Sequence, residues 1–131
     1  MKQSILITKY IIDLLEANTG LTTLVGTNIY PIDAKQGTTF PFIVVKRTNI
    51  DTQYSKDGRV SDTVGFSVIV VAESYIDSVT IAQLVRQTLE LYRGVVDATN
   101  DVSIKYITFT GINEDLYNNA FIQQLNFNAI M

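Results

Sequence analysis

Apolar residues crowd the start of the chain at helical spacing. Ile5, Leu6, Ile7, Tyr10, Ile11, Ile12, Leu14 and Leu15 occupy most of the circumference of a helix predicted over residues 3–17. Lys2, Lys9, Asp13 and Glu16 fall on one narrow stripe. So broad an apolar surface exceeds what one sheet covers, so a second element or a neighbouring subunit is expected against it. Asn18-Thr19-Gly20 is read as the stop, with Gly20 suited to a left-handed cap, and Leu21, Leu24 and Val25 as one further turn closed by Gly26.

The pattern then changes period. Ile29-Tyr30 before Pro31 reads as a short extended piece, and residues 33–39 as a polar loop. Residues 42–48 (FIVVKRT) are rich in β-branched side chains and predict a strand. Residues 49–61 read as a long polar connection with Asp57-Gly58 as a turn signal. Residues 62–72 alternate cleanly, Val64, Phe66, Val68 and Val70 on one face and Gly65, Ser67, Ile69 and Val71 on the other, as suits a central antiparallel strand. Ser74 with Asp77 resembles a capping box opening a helix to about Arg93. Its buried face is Ile81, Ala82, Leu84, Val85, Leu89, Leu91 and Tyr92; its wet face is Gln83, Arg86, Gln87, Glu90 and Arg93. After a turn region at 95–101, strands are predicted over 102–110 and 121–130, separated by a loop at 111–119 with Asn118-Asn119 as its turn. In the last strand Phe121, Leu125, Phe127 and Ala129 point inward.

The expected fold is α+β: a mainly antiparallel sheet of about four strands with two main helices packed on one face, as one domain over residues 1–131. The last charge is Asp115, so the final strand has none. Edge strands are normally blunted by charge, so this strand is expected to be central or covered by a partner.

Composition narrows the chemistry. The chain is 47% apolar and only 18% charged, with net charge -3 and neither His, Cys nor Trp. No thiolate, disulfide or Cys–zinc site is possible. The usual general base near neutral pH is missing as well. Mild acidity argues against a nucleic-acid grip. No apolar run approaches the ~20 residues that span a bilayer, and the first thirteen residues do not read as a signal peptide.

Individual candidates are few. Glu114-Asp115 and Asp97 with Asp101 are the close carboxylate groupings, read as turn-capping and solvated. The glycines match no phosphate loop, and no serine has a histidine partner. Catalytic, cofactor and metal residues are therefore expected to be none. A connection as long as 49–61 is uncommon without a role. Tyr54, Lys56, Asp57 and Arg59 are accordingly taken as a candidate partner-contact loop, an ordinary solvated tip being the alternative.

Several stretches together resemble the small tail-completion proteins of long-tailed phages and prophages, also called tail terminators or head–tail joining proteins. They are the leading helix ending in Leu21-Thr22-Thr23-Leu24-Val25-Gly26; Ile29-Tyr30-Pro31; Gln36-Gly37 leading to Phe40-Pro41-Phe42-Ile43-Val44-Val45; residues 51–58 with Tyr54-Ser55 and Asp57-Gly58; the strand from Val64 to Val71; and the helix from Tyr75 onward. The resemblance implies a structural virion protein with no enzymatic activity. It implies a ring, generally hexameric, that terminates the tail tube and joins the tail to the head connector. Its partners would be other copies of itself, the tail tube protein and the connector protein, with DNA passing through the lumen without specific binding and no membrane involved. Its place would be the head-proximal end of the tail in the virion, after synthesis in the bacterial host cytoplasm.

A ring needs two different patches on each subunit. The broad first helix and the uncharged final strand are the expected pair, and the 49–61 loop is expected to order on docking. Two rivals stand beside this reading. One is a small ligand-binding or regulatory α+β module, dimeric through a sheet edge. The other is an enzyme using only Asp, Glu, Lys, Tyr or Ser.

Overall fold

The computed structural model describes residues 4–100 and 102–131, the side chains of residues 59 and 60 excepted. A 3-10 turn at Ser4–Leu6 leads into α1 (Ile7–Glu16), whose Ile7, Tyr10, Ile11 and Leu15 are buried at helical spacing. A second helix, α2 (Thr19–Val25), follows almost at once. Gly20 lies inside α2 and is not a left-handed stop. The break is made by Asn18, whose side-chain oxygen accepts the Leu21 N–H at 3.2 Å and so caps the new helix. The left-handed glycine is Gly26, at φ 62°, which ends α2.

The sheet contains five strands rather than about four, in the order β1-β2-β3-β7-β6, and is mainly antiparallel with one parallel pair. β1 (Ile29–Pro31) pairs in parallel with β2 (Phe42–Ser55), while β2 with β3 (Gly58–Ala72), β3 with β7 (Ala120–Ile130), and β7 with β6 (Tyr106–Tyr117) are antiparallel. β4 (Gly94–Asp97) and β5 (Val102–Ile104) form a separate two-stranded piece. β3 is the middle strand, as its alternation predicts. Val64, Phe66, Val68 and Val70 are buried in the core that α1, α2 and α3 (Tyr75–Leu89) share with β2 and β7. Three helices, not two, contribute to it.

Several expectations need correction. Residues 49–55 and 58–61 are strand, joined by a two-residue turn at Lys56 and Asp57. The polarity of residues 53–58 reflects solvent on both sides of a projecting ribbon, not irregular backbone. Residues 111–117 are strand, paired with β7 at the sheet's edge, and 94–97 form β4. The Ser74 side chain makes no capping bond, so the expected box does not form. α3 ends at Leu89, and Leu91 is exposed while its N–H is tied to the Ile107 carbonyl at 2.8 Å. The final strand β7 is internal, flanked by β3 and β6, so it needs no charge to guard an edge.

Candidate partner interface

The β2–β3 hairpin outruns its neighbours. β3 pairs with β7 only from Thr63 onward, so the pairs from Thr52↔Asp62 to Ser55↔Gly58 extend past the sheet. The base of this arm is anchored. The buried Asp62 carboxylate accepts the Ser4 hydroxyl at 2.5 Å and the Thr52 hydroxyl at 2.7 Å, and its backbone carbonyl accepts the Met131 N–H at 2.9 Å. At the tip the Ser55 hydroxyl accepts the Asp57 N–H at 3.2 Å, and Gly58 takes φ 114°. Tyr54 is 77% exposed. Lys56 and Asp57 form the turn beside it, and Arg59 lies opposite Tyr54 in register, its side chain outside the described residues. The four candidate contact residues are therefore brought to one tip, on a paired hairpin whose register shifts between Gln53 and Tyr54 rather than on an irregular loop.

Two further surfaces lie at opposite edges of the sheet. At the β1 edge, α1 and β2 enclose an open groove of about 480 Å³. Its apolar lining is Ile5, Ile12, Pro31 and Ile32, and Lys9, Lys46 and Arg47 are its cations against Asp13. From α1, Ile12 lines this groove beside the polar Thr8, Lys9 and Asp13, and Arg47 ties down the preceding turn by donating to the Ile5 carbonyl at 2.9 Å. At the β6 edge, Ile112, Glu114 and Leu116 share a strand face beside the exposed Tyr75, Ile76 and Val79 of α3. Glu114 secures this corner, accepting the Tyr75 hydroxyl and the buried Gln123 amide, each at 3.0 Å. The bond to Glu114 raises the Tyr75 pKa, because it favours the neutral phenol.

Of the carboxylate groupings, Glu114 and Asp115 are not brought together. Glu114 and Asp115 are successive strand residues and point to opposite faces. Asp101 lies outside the described residues. Asp97 accepts the Tyr10 hydroxyl, the Asn100 side chain at 2.8 Å, and the N–H groups of Thr99 and Asn100. The Tyr10 bond and then the Asn100 bonds hold its pKa down at about 2. This is a pinned turn joining α1 to β4. Composition gave no signal for it, because Tyr10 and Asp97 are 87 positions apart. Among the described residues no group of His, Cys, Asp or Glu is placed to hold a metal ion. No helix of those residues is long and apolar enough to cross a membrane.

The chain thus combines a mixed sheet backed by helices with a projecting hairpin and two unlike open edges. The profile of the family described as "Tail completion protein gp17" matches residues 9–125, and the chain belongs to that family, one of structural phage tail proteins. A solved structure described as "Virion of native gene transfer agent (GTA) particle" contains a chain of similar fold, with TM-score 0.75 and 18% identity over 95% of this chain and 92% of that one. No curated protein matches.

Proposed function

We propose that this chain is a tail terminator: copies close into a ring, generally a hexamer in such proteins, that stops growth of the tail tube and joins it to the head connector. The observation that carries the reading is the family match across residues 9–125. The two edges support the ring. Head-to-tail closure needs two different patches on every subunit, and the β1-edge groove and the β6-edge corner are separated by the whole width of the sheet. The expected pair is therefore half revised: α1 keeps its role, while β6 replaces the internal β7.

The whole chain acts as one tail-terminator-like domain, and its product is position in the virion, not turnover. The hairpin tip, with Tyr54, Lys56, Asp57 and Arg59, reaches to the tube or the connector. With net charge -3 the ring gives passing DNA little basic surface to hold. The groove has the volume of a ligand site, but it is open and its cations are spread along its rim, which suits a protein edge better than a small molecule.

Tube assembly tests this. Purified chain added to polymerising tail-tube subunits should stop elongation and be found at one tube end. Tubes of unchanged length that never retain the chain would sink the reading.

A further inference from the structure

We infer that Asp62 is the joint that keeps the partner-contact arm ordered, and that Ser4, which stands outside the arm, acts on the tip through it. The inference rests on the tip being the contact surface of the proposed function, and it names the residues that position that surface.

The arm cannot hold itself. Past Asp62 it consists of the pairs Gln53↔Ser61, Tyr54↔Arg59 and Ser55↔Gly58, with solvent on both sides of residues 53–58. A two-stranded hairpin without a packed face is marginal in water. Its ladder is also interrupted. The β2–β3 register shifts between Arg47 and Asn49 and again between Gln53 and Tyr54. Such shifts leave a residue unpaired and disrupt the ladder locally. Thr52, the ladder partner of Asp62, lies between the two. Order at the tip therefore comes from the base.

At the base the core-facing row of β3 changes character. Asp62 continues the row of Val64, Phe66, Val68 and Val70, but it is the first position of that row with no ladder partner on β7. A buried carboxylate needs donors in place of water. The Ser4 hydroxyl supplies one at 2.5 Å and the Thr52 hydroxyl another at 2.7 Å. Ser4 is itself buried, in the turn before α1, while Thr52 belongs to β2. The Asp62 carbonyl adds a tie to the residue after β7, accepting the Met131 N–H at 2.9 Å. One residue thus fastens the arm to the helical layer and to the sheet. Removing a hydroxyl leaves the buried carboxylate short of a donor, which costs more than the bond itself contributes. The relief open to the molecule is for the arm to part from its base while the core stays folded.

Hydrogen exchange followed by NMR on the full chain reads this amide by amide. In the native chain the paired amides of residues 52–61 should exchange as one group, faster than those of residues 64–70. Ser4→Ala should speed the arm group about tenfold or more, although Ser4 and Asp62 are 58 positions apart. Thr52→Val should do the same, and Thr52→Ser, which keeps the hydroxyl, should return the native rates. Arm amides that keep their native rates in Ser4→Ala would show opening that bypasses Asp62 and would overturn the joint. Arm amides that exchange only at the rate of the core would overturn it as well, and so would a Thr52→Ser variant as fast as Thr52→Val.

Retention on tail tubes separates the joint from the contact reading. In the double variant Ser4→Ala with Thr52→Val, retention should fall by the factor that exchange gives for the loss of the ordered arm, since only the ordered fraction binds. Native retention by a chain whose arm is largely open would sink the tip as a contact surface and leave the joint standing. Retention lost while the arm stays protected would overturn the action of Ser4 through Asp62.

Discussion

Phe66 and Phe127 stack across β3 and β7, ring centroids 5.3 Å apart and planes 16° from parallel, both about 1% exposed. They are partners in the ladder, and Phe109 of β6 adds a third ring 5.4 Å from Phe127. One aromatic row therefore ties three strands together beneath the helices. Replacing Phe66 by Ala should cost about 3–5 kcal/mol, the transfer loss plus a cavity the sheet cannot close. Urea unfolding followed by circular dichroism measures it. A loss below about 1 kcal/mol would mean that the row does not hold the sheet.

The central strand was legible because one face of it meets the core and the other does not, which writes the alternation directly into residues 64–71. The hairpin arm was not, since residues 52–55 and 58–61 carry few apolar positions for a period to show. What organises them is backbone pairing and the buried Asp62 at their base. Polarity and length single out Tyr54, Lys56, Asp57 and Arg59 as candidates, and the backbone places all four at one hairpin tip. The β1-edge groove was half visible, in the excess apolar surface of the first helix. Its other wall depends on a parallel pairing of β1 with β2, a long-range fact that local pattern does not contain. The β6 corner escaped notice because Ile112 and Leu116 alternate with Asn113 and Asp115 in what reads as a loop.

The tip of the arm should be separable from the fold. Tyr54 is largely in solvent and Lys56 is exposed in the turn. Tyr54→Ala and Lys56→Ala should each change stability by no more than about 0.5 kcal/mol. On the proposed function they should weaken retention on tail tubes or connectors. Thermal melting and co-sedimentation with tubes separate the two effects. A melting drop as large as that of Phe66→Ala would show that the tip is packed structure, not a contact surface.

The β6–β7 turn makes a sharper backbone prediction. Asn118 and Asn119 have φ 49° and 63°, so both central residues occupy the left-handed region that a tight hairpin favours. Asparagine tolerates this conformation and β-branched residues do not. Asn119→Val should destabilise by about 1–2 kcal/mol, whereas Asn119→Gly should be neutral or slightly stabilising. Equal melting temperatures for the Val and Gly variants would contradict the turn geometry.

The Tyr10–Asp97 contact predicts how stability follows pH. Hydrogen bonds from the Tyr10 hydroxyl and from Asn100 lower the Asp97 pKa from 3.8 to about 2. A carboxyl group more acidic in the folded state than in the unfolded chain stabilises the fold once it is ionised. That contribution is whole above pH 3.8 and is lost as pH falls towards about 2. The same contact raises the Tyr10 pKa, chiefly because the neutral hydroxyl donates to Asp97. Its stabilising effect holds below pH 10 and fades as the phenol ionises above that value. Asp97→Asn should therefore melt lower than the native chain at neutral pH, with the difference shrinking to nothing near pH 2. Tyr10→Phe should soften both the acid and the alkaline limbs of the curve. Melting temperatures across the full pH range decide it: if Asp97→Asn runs parallel to the native chain between pH 3.8 and about 2, the carboxylate does not hold α1 to β4.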